Sequence, residues 1–150
     1  MEWSESALLA PVPHLHLESG YPVCQREGRV AYGSDSVEVM SMAAAAAREA
    51  KVRVLFYASH APDAAPPRVT WVGRFLRLET PRQGRHPQHD RLRPSTTDDD
   101  GAWQIFYEIA DLERLSPAEQ LPLAVLKKRG GAKLSKAFVP LGPLLIENPI

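Results

Sequence analysis

The chain has 150 residues, 44% of them hydrophobic and 24% charged, which suits one domain with its own core. Eighteen basic residues balance eighteen acidic ones, yet the zero total leaves room for a basic face, because residues 68 to 93 carry seven Arg against Glu79 and Asp90. The single cysteine, Cys24, excludes an internal disulfide and a cysteine-based zinc site and fits a reducing compartment. Residues 1 to 20 have neither a basic leader nor a long apolar core, and no run reaches about 18 apolar residues, so no membrane association and a cytoplasmic protein are expected.

In chain order, Pro11, Pro13 and Pro22 oppose any long helix in residues 1–28, which are set apart as an N-terminal extension. His14-Leu15-His16-Leu17 alternates like a short edge strand, whose two histidines read as its polar side rather than as metal ligands. Arg29–Gly33 is a short strand candidate. The clearest helix is VEVMSMAAAAAREA, expected over residues 36–50. Its five consecutive alanines favour helix, Ser34, Asp35 or Ser36 can cap it, and Glu38 lies in its first turn. Its thin side-chain layer predicts close packing against a sheet.

Three strands follow, at residues 51–60, 68–80 and 102–112. Val52, Val54 and Phe56 alternate with Arg53, Leu55 and Tyr57, and the run stops at Ala58-Ser59-His60. In the second, Val69, Trp71 and Phe75 lie on one side and Val72, Leu76 and Leu78 on the other, which suits a small barrel with helices outside. Gly73 marks a bulge or a close approach. Residues 81–101 read as a long irregular loop, either functional or disordered. Ser116-Pro117-Ala118-Glu119 has the form of a capping box opening a short helix before Pro122. Residues 133–139 resemble a last strand, and residues 140–146 an apolar plug.

Chemistry-bearing motifs are scarce. Nucleophile-elbow, phosphate-loop, dinucleotide and HExxH patterns are absent. Ser59 and His60 are strand neighbours that point to opposite faces, so they do not make a nucleophile and its base. Asp98-Asp99-Asp100 reads as a solvated turn, and His86, His89 and Asp90 as an incomplete ligand set. Neither a metal nor a cofactor is expected. The basic residues suggest an anionic partner: Arg82, Arg85, Arg91 and Arg93 as a loop closing on a phosphate backbone, with Lys127, Lys128 and Arg129 as a second basic set. The aromatics concentrate on the three strands, where most are core and one or two at a pocket mouth could stack on a planar base.

VRVLFYASH is similar to the strand of form VLFYxS in the EVE domain, and TWVGRFLRLET to the strand that follows it. WQIFYEIADLERLSPAEQLPLAVLKK resembles that family's strand ending in a Leu-rich segment and short helix, and KLSKAFVPL its late closing strand. Residues 29–141 thus resemble an EVE domain, of the PUA-like group that includes ASCH and YTH domains. The chain departs from the family in two places. RVAYG stands where a Tyr- and Trp-rich first strand is usual, and Ala50-Lys51 stands where Gly-Asp is usual.

The resemblance implies an α+β fold, a PUA-like mixed β pseudo-barrel with flanking helices. It also implies a nucleic-acid reader that takes a flipped, modified nucleobase into an aromatic pocket, as the specificity part of a modification-dependent restriction or defence system or of an RNA-binding protein. Carried onto this chain, Tyr57, Ser59 and His60 line the pocket and Trp71 or Trp103 stacks on the base. Residues 142–150 would then be a tail or a linker towards an effector domain or partner protein. Two other classes stay open: an ASCH-like enzyme on RNA or nucleosides, with His60, Lys51 or Glu108 as acid or base, and a non-catalytic protein-interaction module.

Overall fold

The structure, a computed structural model, describes residues 2–59, 67–98, 101–128 and 142–150, and for Ser59 the backbone only. Its elements are β1 (Ser6–Pro13), α1 (His14–Glu27), β2 (Val30–Ser34), α2 (Val37–Ala47), β3 (Val52–Ser59), β4 (Arg68–Glu79), α3 (His89–Leu92), β5 (Ile105–Arg114), β6 (Leu121–Pro122) and β7 (Leu144–Glu147). Short 3-10 turns lie at Ser95–Thr97 and Leu123–Val125. The fold is α+β, built on a seven-stranded mixed sheet of order β2-β5-β4-β3-β1-β7, with β6 beside β4. Every pair is antiparallel except β1 with β3, and a parallel pair needs a long crossover, here α1-β2-α2.

Apolar residues on both faces of the central strands divide the core in two. Leu8, Val54, Phe56, Trp71, Phe75, Tyr107 and Ile109 form one layer with Leu17 and Val23 of α1 and Met40 and Ala43 of α2. Ala7, Leu9, Leu55, Tyr57, Val72 and Ile146 form the other, closed by Leu123 and Leu126. Strands buried on both faces read as near-continuous apolar runs, which is why β3 and β4 were legible. At Gly73 the β4–β5 register shifts, and an added Cβ would lie 2.4 Å from Cγ2 of Ile109, so bulge and close approach coincide there.

Several expectations are corrected. Residues 1–28 are not an extension: Ala7, Leu8 and Leu9 are fully buried in β1, which pairs with β3 from Leu8↔Val54 to Pro13↔Ser59. Pro11 and Pro13 fit because only Ser6–Leu9 of β1 also pairs with β7; beyond that, no described residue pairs with that side of the strand and a missing N–H costs little. His14–Leu17 is the first turn of α1, where His14 pairs with Glu18 one turn on. Pro22 lies inside α1 nonetheless, because burial of Leu17, Gly20, Val23 and Cys24 outweighs one lost helical bond. The helix ends at Gly28, left-handed at φ 78°, whose N–H donates to the Cys24 carbonyl.

The α2 helix falls within its expected span and packs mainly on β4, although the Ser36 side chain makes no capping bond. Ser116 and Glu119 do bond to each other, but as a turn without a helix, since Pro122 follows too soon. Residues 142–150 are not a tail either, because Leu144–Glu147 is β7 within the sheet. The expected strand or turn at 133–139 lies outside the described residues, as do residues 60–66 of the Pro-rich stretch after β3.

Candidate functional site

The expected loop between β4 and β5 is folded and anchored. Arg82 and Arg85 exchange backbone hydrogen bonds around Gln83 and Gly84, both at positive φ, which makes a two-residue type I′ turn. The chain then passes through α3 and the 3-10 turn, burying His86, Leu92, Arg93 and Thr97.

The anchor is Glu108, whose side chain is fully buried in β5. Strand alternation puts Tyr107 and Ile109 in the layer beneath the helices and turns Phe106 and Glu108 to the opposite face. Oε1 of Glu108 accepts from Nε of Arg77 at 3.1 Å, across the β4–β5 ladder. Nε of Arg29 lies 2.8 Å from the same oxygen, close enough for an ion pair but without hydrogen-bond alignment. Oε2 lies 3.1 Å from Nε2 of His86. Because the Gln88 N–H donates to His86 Nδ1 at 2.9 Å, that nitrogen is unprotonated. The ring is therefore a neutral tautomer whose Nε2–H donates to the carboxylate. Burial pushes the Glu108 pKa up, but the His86 hydrogen bond and the Arg77 and Arg29 charges outweigh it and hold the carboxyl below the ordinary glutamate range.

Further ties wrap the segment over the edge of the sheet. Arg93 donates from Nη1 to the carbonyl of Ala31 on edge strand β2 at 3.0 Å and lies over the Phe106 ring, 5.1 Å from its centroid. Thr96 Oγ1 meets His16 Nδ1 and Ser19 Oγ of α1, and Arg91 donates to Glu27 at the end of that helix. An edge strand offers unpaired backbone groups, and Arg93 covers one of them.

Three adjoining hollows surround this segment, with His89 at the border of each. One of about 450 Å³ is rimmed by Arg82, Arg85, Arg91 and Gln88. One of about 230 Å³ is lined by Gln83, Arg85, Arg93, Asp98 and Phe106. One of about 340 Å³ lies against α1 at Ser19, Val23 and Arg26. His89 Nε2 is 3.0 Å from Asp98 Oδ1; a carboxylate only accepts, so Nε2 carries the proton. Arg82 and Arg85 make no ion pair among the described residues.

The sequence-derived site residues divide accordingly. Arg82, Arg85 and Arg91 come together at one hollow. Arg93 does not belong to a mobile clamp: it is 6% exposed and committed to Ala31 and Phe106. Lys127 and Lys128 lie beside β7, at the other end of the strand order, and Arg129 is outside the described residues.

The aromatic pocket does not assemble as expected. Tyr57 belongs to one core layer, where burial pushes its pKa up to about 12, whereas Trp71 belongs to the other, 3% exposed and in ring contact with Tyr21. The sheet separates them. Trp103 covers Gly33, where an added Cβ would fall 2.3 Å from its ring. His60 and the Ser59 side chain lie outside the described residues. Of the acid–base candidates, Lys51 stands beside Trp3, two strands from Glu108, whose oxygens are already occupied.

Sequence reasoning weighed His86 and His89 only as an incomplete metal-ligand set and passed over the roles of Arg29 and the His89–Asp98 pair. One signal existed for the anchor: Glu108 is the sole charge in IFYEIA, and a carboxylate inside an apolar strand must find partners. Among the described residues, no helix is long and apolar enough to cross a membrane. Compared with known proteins, the chain matches no family model and no curated protein.

Proposed function

We propose that the chain is a nucleic-acid-binding module in which the anchored segment between β4 and β5 holds the phosphate backbone, and that it acts as a reader of a single unstacked, modified base. The observation that carries this reading is the convergence of Arg82, Arg85 and Arg91 on one hollow of about 450 Å³, on a segment fastened by a buried carboxylate. Guanidinium groups bind phosphate oxygens in a bidentate fork, and such contacts position a strand without reading its sequence. A base drawn from the stack costs a few kcal/mol to unpair, offset by stacking and by hydrogen bonds at its edge.

The likeness of residues 29–141 to EVE domains supports the same reading and brings with it a PUA-like pseudo-barrel as the finer description of the sheet. A role as the specificity part of a modification-dependent restriction or defence system, with an effector or partner protein, belongs to that proposal. The test is a binding panel of single- and double-stranded DNA and RNA, unmodified and base-modified, against the wild type and the Arg82→Ala/Arg85→Ala variant. The reading expects binding that the double substitution weakens for every sequence. A wild type that binds none of these nucleic acids contradicts it.

A further inference from the structure

The 450 Å³ and 230 Å³ hollows adjoin at Arg85 and His89, so a strand held at the first has a cavity beside it. An apolar cavity of about 150 Å³ accepts a benzene ring. A hollow of about 230 Å³ therefore has room for one heterocyclic base. The lining has a mixed code. Arg85 offers a donor fork. Asp98 gives Oδ1 to His89, which leaves Oδ2 as an acceptor. Gln83 offers an amide with both, and the Arg93 guanidinium, laid over the buried Phe106 ring, borders the hollow. Gln83 also holds a left-handed backbone at φ 53°, a conformation unfavourable for a side chain of its kind, and its residue lines this cavity.

Guanine matches this combination best. Its O6 and N7 are paired acceptors for an arginine fork, and its amino group is a donor for a carboxylate. Its ring N1–H, beside that amino group, is a second one. Adenine suits the glutamine amide but sets its N1 acceptor against Asp98. Cytosine has an acceptor pair in N3 and O2, but beside its amino donor stands the N3 acceptor and not a ring N–H, so it gives the carboxylate one donor group where guanine gives two. Thymine and uracil present a single N–H between two carbonyls.

We infer that the 230 Å³ hollow is a guanine subsite for a base of a single strand whose backbone lies on Arg82 and Arg91, with Arg85 between the two hollows turned to the base. This rests on the nucleic-acid reading above and adds the identity and place of the base. Arg85 faces O6 and N7, Asp98 faces the N1–H and amino edge, and Gln83 completes the ring of contacts.

The test is fluorescence anisotropy at one salt concentration with thymidine decamers that carry a single central guanine, adenine, cytosine or thymine. The guanine decamer should bind tenfold or more tightly than the others. Asp98→Asn should bring it down to their level, and Gln83→Gly should reduce the preference while leaving the thermal midpoint unchanged or higher. Arg82→Ala should weaken all four about equally, and Arg82→Ala/Arg85→Ala should weaken all four and also remove the guanine preference. Equal binding of the four decamers, still weakened by the double substitution, overturns the guanine subsite and leaves the backbone reading intact. Absence of binding to any decamer overturns the single-strand subsite, and the nucleic-acid reading falls with it only where the duplexes and RNAs of the panel are unbound as well. Guanosine monophosphate binding as tightly as the guanine decamer overturns the assignment to a strand in favour of a free nucleotide. A guanine preference that survives both Asp98→Asn and Gln83→Gly, in variants whose melting curves show them folded, moves the base elsewhere.

Discussion

The sheet face turned away from α1 and α2 is closed by different means at its two ends. Around β3, β1 and β7 the closure is apolar: Leu9, Leu55, Tyr57 and Ile146 pack with Leu123 and Leu126. Around β5 and β2 it is polar, with Glu108, His86 and Arg93 buried together. Apolar burial is non-directional and tolerates some rearrangement of volume. A buried carboxylate with three partners fixes the positions of Arg29, Arg77 and His86 relative to β5, and with His86 the segment that carries Arg82, Arg85 and Arg91. The candidate site therefore lies at the end where side-chain direction is specified, which a binding constellation requires.

Truncation of each anchor should separate the two ends most strongly. Glu108→Ala removes the acceptor of buried His86 and the counter-charge of partly buried Arg29, while the exposed Arg77 stays solvated, and should cost about 3 kcal/mol. Leu55→Ala should cost about 2–5 kcal/mol by cavity formation. Urea unfolding measures both, and their pH dependence tells them apart. The Glu108 pKa is lowered on folding from an ordinary value of 4.5, so its contribution is fully present above that value and lost as pH falls through the lower folded one. Stability of the wild type and of Leu55→Ala should share this acid limb, and Glu108→Ala should lack that part of it. A Glu108→Ala protein with wild-type stability and an unchanged acid limb would mean that the polar end carries no specification.

His86→Ala should have the next largest effect. It removes a buried hydrogen bond to a charged group, worth about 1.5–3 kcal/mol, and frees the segment while leaving the opposite end intact. Amide hydrogen exchange should quicken over residues 82–98 and stay slow in β1 and β3; equal quickening in both regions would contradict a local anchor. Gln83→Gly should change stability least and in the other direction. Glycine relieves a left-handed backbone whose cost for other residues is about 1–2 kcal/mol, so a small rise in thermal midpoint is expected.

The same contrast accounts for what the sequence disclosed. Alternation and β-branched or aromatic content located β3, β4 and β5, and an alanine run located α2, because these elements are fixed by burial. β1 was hidden by Pro11 and Pro13, and α1 by Pro22, since local rules against proline do not register that one side of β1 beyond Leu9 pairs with no described residue or that Val23 and Cys24 are buried. The arginines at 82, 85 and 91 were legible as charge. Their anchor was not, because the pairing of Glu108 with His86 joins residues 22 apart in sequence, and that with Arg77 joins residues 31 apart. The aromatic pocket failed because alternation shows which residues share a face but not which face is open: Tyr57 and Trp71 ended in opposite core layers.

The salt dependence of oligonucleotide affinity tests the backbone role of the anchored segment most directly. For a single strand, log K falls with log salt concentration by about 0.7 per phosphate contact neutralised. The Arg82→Ala/Arg91→Ala variant should therefore show a slope shallower than the wild type by roughly 1.4, with both proteins folded. An unchanged slope in a folded double variant would contradict the account, because the exposed arginines of this segment would then meet no phosphate.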